Sequence, residues 1–245
     1  MKVFLSFCFD SNIDYTNITQ EIITKFLNEN TYASNTINNF IKAGRSFYGD
    51  FLGKETEWKK IKLLKAERKI PNYLSEKEIQ QGIKYIKSYH SNIYSKAKID
   101  AVINFMFYSA VRKGELLSLH RTDFNLEENY CKVSGQKSKR ERYVYFPDEV
   151  KKYIDIYFQS EAEETNAFNI SLMIINYLTT LMTKYINKKV TPHLIRHSGL
   201  RYMKLKGIAI DDIKEIAGHS DIKTTMIYTL NNEEDIRRAY KDKIK

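Results

Sequence analysis

Proline occurs only three times in 245 residues, and glycine nine times. So few breakers leave long stretches free to run as uninterrupted elements, and the Leu, Ile, Lys and Glu that fill them favour helices. The length suits one large domain, or a small domain followed by a medium one. With 42% hydrophobic and 29% charged residues, the chain can bury a sizeable core and is not of the disordered class. The longest apolar run, Ala101 to Ala110, contains Asn104 and is too short to span a bilayer. Val3 to Phe9 has the apolar character of a signal segment, but Asp10 interrupts it and no small-residue cleavage site follows. Cys8 and Cys131 share no motif and read as reduced thiols, not as a disulfide or a metal site. A cytoplasmic protein is expected.

The clearest boundary is the basic stretch from Lys59 to Lys69, closed by Pro71. Ser75 and Glu78 then form a capping box that opens a new helix. The expected division is a short helical domain over 1–71 and a larger domain over 72–245. In the first, Thr19 caps a helix through Ile22, Ile23, Phe26 and Leu27. A second helix, Ser34 to Leu52, turns Ile37, Phe40, Ile41, Phe47, Tyr48 and Phe51 to one side. Its polar side carries Asn35, Lys42 and Arg45, suited to a phosphate or a groove and equally to plain solvent. Helices are predicted near 75–89, 96–109 and 112–119. Three strands follow, over Thr122–Leu126, Tyr130–Val133 and Arg142–Phe146. From Val150 on, the pattern is helical again, with breaks at Lys188–Thr191, Gly207 and Asn231-Asn232. The fold class is mainly α with a small three-stranded antiparallel sheet.

Forty Lys and Arg against thirty Asp and Glu give a net charge of +10. Such an excess suits a polyanion, whose condensed counterions are released when its phosphates are neutralised; it also suits a merely solvated surface. No isolated amphipathic basic segment points to a membrane.

Four segments carry chemistry-bearing residues. In Thr191-Pro192-His193-Leu194-Ile195-Arg196-His197-Ser198, Pro192 starts a helix and sets His193 one turn from Arg196. A titratable ring beside a permanently charged fork suits an anionic, proton-transferring site, although the pair alone is an ordinary surface pair. In Ile216-Ala217-Gly218-His219, the glycine reads as a helix C-cap with His219 just beyond it, and Tyr228 follows nine residues later. Arg112 opens a helix whose next turn holds Glu115. Gly135-Gln136-Lys137-Ser138-Lys139-Arg140-Glu141-Arg142 is a basic turn between strands, and Lys139, Arg140 and Arg142 are its further candidates for DNA contact.

Taken in order, Arg112, a hairpin lysine, His193-x-x-Arg196, Gly218-His219 and Tyr228 resemble the catalytic pattern of the tyrosine recombinases. The likeness to Xer-type and phage-integrase-type members runs over residues 73 to 230, most closely from Ala217 to Thr229. The resemblance implies a site-specific DNA recombinase that cleaves and rejoins strands through a 3′-phosphotyrosine on Tyr228. It implies His193 as general base, Arg112 and Arg196 on the non-bridging oxygens, and His219 as a further phosphate contact. Lys137 matches the lysine that protonates the leaving 5′-oxygen, with Lys139 the alternative, and Glu115 matches a supporting acid. No metal or other cofactor is implied. The partner implied is duplex DNA bearing a target site, held in a tetrameric synapse. The resemblance also implies that a C-terminal helix over 231–245, with Ile236, Tyr240 and Ile244 in step, docks on a neighbouring subunit rather than packing on its own subunit.

Two departures are conservative: Ala110-Val111-Arg112 stands where many relatives have Gly-Leu-Arg, and Ala217-Gly218-His219 where many have Leu-Gly-His. The third is larger. Residues 1–71 are shorter than the family's DNA-clamping domain and match its second half, as a minimal or truncated clamp. Two other functions share these features: relaxation of supercoils in the manner of a type IB topoisomerase, and DNA binding by a non-catalytic remnant.

Overall fold

The computed structural model describes residues 1–29, 31–54, 56–65, 72–89, 93–134, 141–219 and 222–226, together with Arg237 and Tyr240. The chain divides into two compact units, Met1–Lys69 and Ile70–Lys245.

The first unit packs helices α1 (Lys2–Asp10), α2 (Gln20–Asn28) and α3 (Ser34–Arg45) around Trp58. The apolar start of the chain is thus a helix, with Phe4 and Cys8 buried on its inner side. Phe4 meets the rings of Phe26 and Trp58 edge-on, each at 5.0 Å, the geometry aromatic quadrupoles favour. Thr19 caps α2 by accepting from the Ile22 amide. The helix predicted over Ser34–Leu52 is α3 followed by a π-helical turn, Ser46–Phe51, where the buried Tyr48 donates to the Tyr15 carbonyl.

The polar side of α3 is not uniformly open. Asn38 exchanges two hydrogen bonds with the Leu64 backbone, at 2.8 and 2.9 Å. Arg45, expected to face phosphate, instead donates to the carbonyls of Trp58 at 3.1 Å and Ile61 at 2.7 Å. One guanidinium fork thereby satisfies two carbonyls at once, at and just after the 3-10 turn Glu57–Lys59. Asn35 and Lys42 remain exposed.

The second unit is built around α5 (Ile93–Tyr108), which packs against α4 (Glu76–Ser88), α7 (Asp148–Ser160) and α9 (Pro192–Leu205). Ile99, Ala101, Val102, Ile103, Phe105, Met106 and Phe107 are all buried, as in a helix surrounded by others rather than lying on a surface. Its polar interruption, Asn104, is satisfied by Gln80 at 2.7 Å and by the Asp100 carbonyl at 2.8 Å. Ser75 and Glu78 make the capping box of α4. No described helix is long and apolar enough to cross a membrane.

The helix predicted over 112–119 is a single turn, α6 (Lys113–Leu116). The Leu119 carbonyl, at the end of the predicted range, accepts from the Ala167 amide at 2.7 Å. A sheet follows in the order β1 (Phe124–Asn125), β2 (Tyr130–Ser134), β3 (Glu141–Tyr145), antiparallel throughout. Cys131, Val133 and Val144 turn to the core, and Tyr143 and Tyr145 to solvent. The register sets Arg142 opposite Val133, on the inner face. After α7 come α8 (Leu172–Ile186), α9, α10 (Ile210–Ala217) and the short α11 (Ile222–Thr225).

Candidate active site

Three backbone carbonyls at the end of α10 organise the site. A helix C-terminus leaves its last carbonyls without intrahelical partners and carries partial negative charge. Here Gly218 ends the helix in the left-handed region, at φ 63°, so consecutive carbonyls splay outward in different directions. The Ile216 oxygen accepts from Arg142 Nε at 2.8 Å, that of Ala217 from Arg196 Nη2 at 2.7 Å, and that of Gly218 from Arg112 Nη2 at 2.7 Å. Three guanidinium groups from three other elements thus converge on one helix end.

Arg112 precedes α6. Its amide donates to Glu115 Oε2 at 2.8 Å and its Nη1 to Glu115 Oε1 at 2.9 Å. Glu115 is only 2% exposed, and Arg142 grips the same carboxylate with both terminal nitrogens at 2.8 Å. Burial alone would raise the Glu115 pKa. The hydrogen bonds and charge of Arg142, with those of Arg112, outweigh that effect and hold it at about 2.

Arg196 is buried on α9, whose first turn is fixed by the Thr191 hydroxyl accepting from the Leu194 amide and by Pro192. Besides Ala217, its guanidinium reaches the Ala110 carbonyl. Ala110 lies at φ 51°, left-handed like a glycine turn, which aims that carbonyl at Arg196 and explains why glycine suits the position.

His219 follows the Gly218 cap, with its Nε2 at 3.3 Å from Arg196 Nη2. Arginine has no acceptor, so this ring nitrogen accepts and Nδ1 carries the proton, donating to the buried Thr225 hydroxyl at 2.9 Å. Burial, followed by the charges of Arg196 and Arg112, pushes the His219 pKa down to about 4. His193 lies one turn before Arg196, and its Nε2 is 2.7 Å from Nε2 of His197, the rings standing edge to face. The His193 pKa is lowered by burial and by Arg196 and Arg112, and that of His197 falls to about 4 through burial, His193 and Arg196. All three shifts favour the neutral ring at pH 7.

Arg112, His193, Arg196, His219 and Glu115, picked from separate stretches of sequence, therefore share one site. Tyr228, Lys137, Lys139, Arg140 and the C-terminal segment over 231–245 lie outside the described residues, save Arg237 and Tyr240. Arg142 departs from expectation. The basic turn predicts a DNA-facing tip for it, but Arg142 lies within β3, where period-two alternation sets it on the same inner face as Val144. Its side chain is 9% exposed and bound to Glu115 and α10. His197 was not singled out, although its spacing of four from His193 places both on one helix face. Thr225 and the three carbonyls carry no recognisable sequence signal.

A model of the phage integrase family matches residues 72–235. The tyrosine recombinase XerA of Thermococcus kodakarensis is 29% identical over 224 residues, covering 87% of this chain and 77% of that protein. The crystal structure of XerA recombinase superposes with a TM-score of 0.62 at 26% identity, over 98% of this chain and 89% of that one. That of XerH site-specific recombinase bound to a palindromic difH substrate gives 0.72 at 18% identity, over 94% and 72%, a likeness of fold alone. The chain belongs to the phage integrase family. Within it, the chain is a site-specific tyrosine recombinase of the Xer-like type, and its helical fold with a small sheet is the architecture of that class.

Proposed function

We propose that Tyr228 attacks the scissile phosphate of a DNA target site, with the cluster at the end of α10 as its phosphate clamp. A phenol with a pKa of about 10 is a poor nucleophile at neutral pH and needs a base. His193 takes the phenolic proton as the Tyr228 oxygen bonds to phosphorus. The bond from phosphorus to the 5′-oxygen breaks, and Lys137 protonates that oxygen. Rejoining runs the same steps backward: the 5′-hydroxyl attacks, and His193 returns its proton to the tyrosine. One phosphodiester replaces another of similar energy, so no nucleotide is consumed.

The observation that supports this reading most is that Arg112 and Arg196 are both held by adjacent carbonyls of one helix end, with His219 against Arg196 and His193 within the field of both arginines. Guanidinium forks held in advance suit the charge that builds on a pentacoordinate phosphorus, where electrostatic stabilisation is usually the largest effect. A neutral His193 is in the right state to accept a proton. His219 in its present tautomer accepts from Arg196 at Nε2. It gains a donor there on protonation, which a bound phosphate favours by offsetting the arginine charges that depress its pKa.

The segment over 231–245 acts, in this reading, as an arm seated on a neighbouring subunit in a tetramer on DNA. Tyr240 within it is 66% exposed, an aromatic side chain available for such seating.

A suicide substrate carrying the site recovered by selecting DNA duplexes for binding tests the chemistry. The expected result is a covalent protein–DNA complex that Tyr228→Phe abolishes while DNA binding persists. Equal behaviour of the two proteins overturns the assignment of Tyr228. Sedimentation of the same complexes reads the assembly, and a monomer at saturation rules out the tetramer.

A further inference from the structure

Arg142 belongs to none of the roles above, yet all three of its guanidinium nitrogens are engaged within the site. Its three nitrogens make three hydrogen bonds, all at 2.8 Å, to Glu115 Oε1, Glu115 Oε2 and the Ile216 carbonyl. Arg112 supplies the other two donors to Glu115. Each carboxylate oxygen thus accepts twice, which fills its capacity and fixes the plane of the group. The two arginines differ in exposure: the Arg112 side chain is 40% exposed and that of Arg142 only 9%. One carboxylate therefore lies between a guanidinium facing outward and one facing the core.

We propose that Arg142 is a positioning residue that neutralises Glu115 from behind, so that Arg112 keeps its full charge for the scissile phosphate. Without it, Glu115 and Arg112 form a neutral pair. A carboxylate held in a dry site then competes directly with the phosphate for the same fork. With it, Glu115 serves both arginines as an acceptor of fixed direction, and the pair of guanidiniums retains one net positive charge. Arg142 also joins this carboxylate to the turn that presents His219, through the Ile216 carbonyl. The space there is tight: a Cβ on Gly218 would lie 3.0 Å from Arg142 Nε and 3.2 Å from Arg112 Nη1. A displaced Arg142 therefore disturbs both contacts at once. The role rests on the reading of Arg112 as a phosphate ligand.

The test measures single-turnover cleavage of the suicide substrate at saturating protein, DNA affinity and melting temperature for Arg142→Met, Arg142→Lys and the double variant Glu115→Gln/Arg142→Met. Arg142→Met leaves Glu115 free to capture Arg112, and cleavage falls by about a hundredfold, as for loss of one transition-state donor, while affinity changes by less than about threefold. Arg142→Lys keeps the charge but not the fork, and its rate lies between those of Arg142→Met and wild type. The double variant removes the competing carboxylate and recovers at least about tenfold of the lost rate, which no purely structural role of Arg142 would produce. A rate for Arg142→Met equal to wild type overturns the proposal, as does a double variant no faster than the single one at equal melting temperature. If Arg142→Met does not fold, Arg142→Lys and the double variant decide by the same criteria. Failure of the unsubstituted protein to form any covalent complex would instead overturn the reading of the site as a whole.

Discussion

At the scale of single residues, the site holds imidazole rings in an environment built for an anion. His193, His197 and His219 all have pKa values below the ordinary value of about 6.5, through burial and nearby positive charge. The unfolded chain binds protons at these rings in a pH range where the folded chain does not. Their contribution to stability is therefore complete above about pH 6.5 and is lost as pH falls from there toward the folded values, about 4 for His197 and His219. His120 works in the opposite sense. Its partner Glu163, 2.6 Å away, raises its pKa, so its contribution is present below about 6.5 and is lost as pH rises through the raised value. Glu115 stays ionised throughout this window, because its contribution is lost only as pH falls from its ordinary range to about 2. Melting curves at about pH 7.5 and about pH 5 should show lower stability in acid. His219→Gln, which cannot take up the proton, should reduce that difference. An undiminished difference in the variant would mean that ring burial is not the source.

At the scale of elements, α9 can present Arg196 and His193 only because it lies close against α5. Gly199 is the point of closest approach: a Cβ there would run into the Phe107 carbonyl, with Ala110 Cβ at 3.6 Å. The obstructing atom is backbone inside the central buried helix and cannot rotate away. Gly199→Ala should therefore destabilise the protein by roughly 1–3 kcal/mol, the usual cost of overfilling a packed interior. Urea unfolding measures it, and a midpoint indistinguishable from wild type would show that the two helices can separate freely.

The same elements show which features were legible in the sequence. Caps are local, so the Ser75–Glu78 box, the Thr19 cap, the Thr191-Pro192 start and the Gly218 end could all be read from a few adjacent residues. The residues Arg112, His193, Arg196 and His219 were found through their order, which belongs to the family rather than to any local pattern. Tertiary partners were not legible. Arg45 and Arg142 looked like surface cations because nothing nearby in sequence shows that Trp58, Ile61 and Glu115 lie within reach. Arg142 shares the parity of Val144, so its inward direction follows once it is read as part of the strand rather than of the basic turn. The carbonyl triad of α10 was invisible for a simpler reason: every residue carries a carbonyl, and only the helix end and its neighbours single these three out.

At the scale of the whole molecule, the net charge of +10 acts through the number of phosphates it neutralises, and salt reads that number directly. The logarithm of the DNA association constant should fall linearly with the logarithm of salt concentration, by about 0.9 for each phosphate neutralised. Two cations one turn apart on α3 separate charge that meets DNA from charge that holds the fold. Lys42 is exposed, whereas Arg45 donates to Trp58 and Ile61. If Lys42 contacts a phosphate, Lys42→Ala should make the slope shallower by about 0.9 and leave the melting temperature unchanged. Arg45→Ala should do the reverse: the slope stays the same while stability falls, because two carbonyls lose their donors near the buried Trp58. Measured on the same preparations, these form a crossed pattern. A salt slope that moves with Arg45 and not with Lys42 would return Arg45 to the DNA surface and remove it from the interior of its own unit.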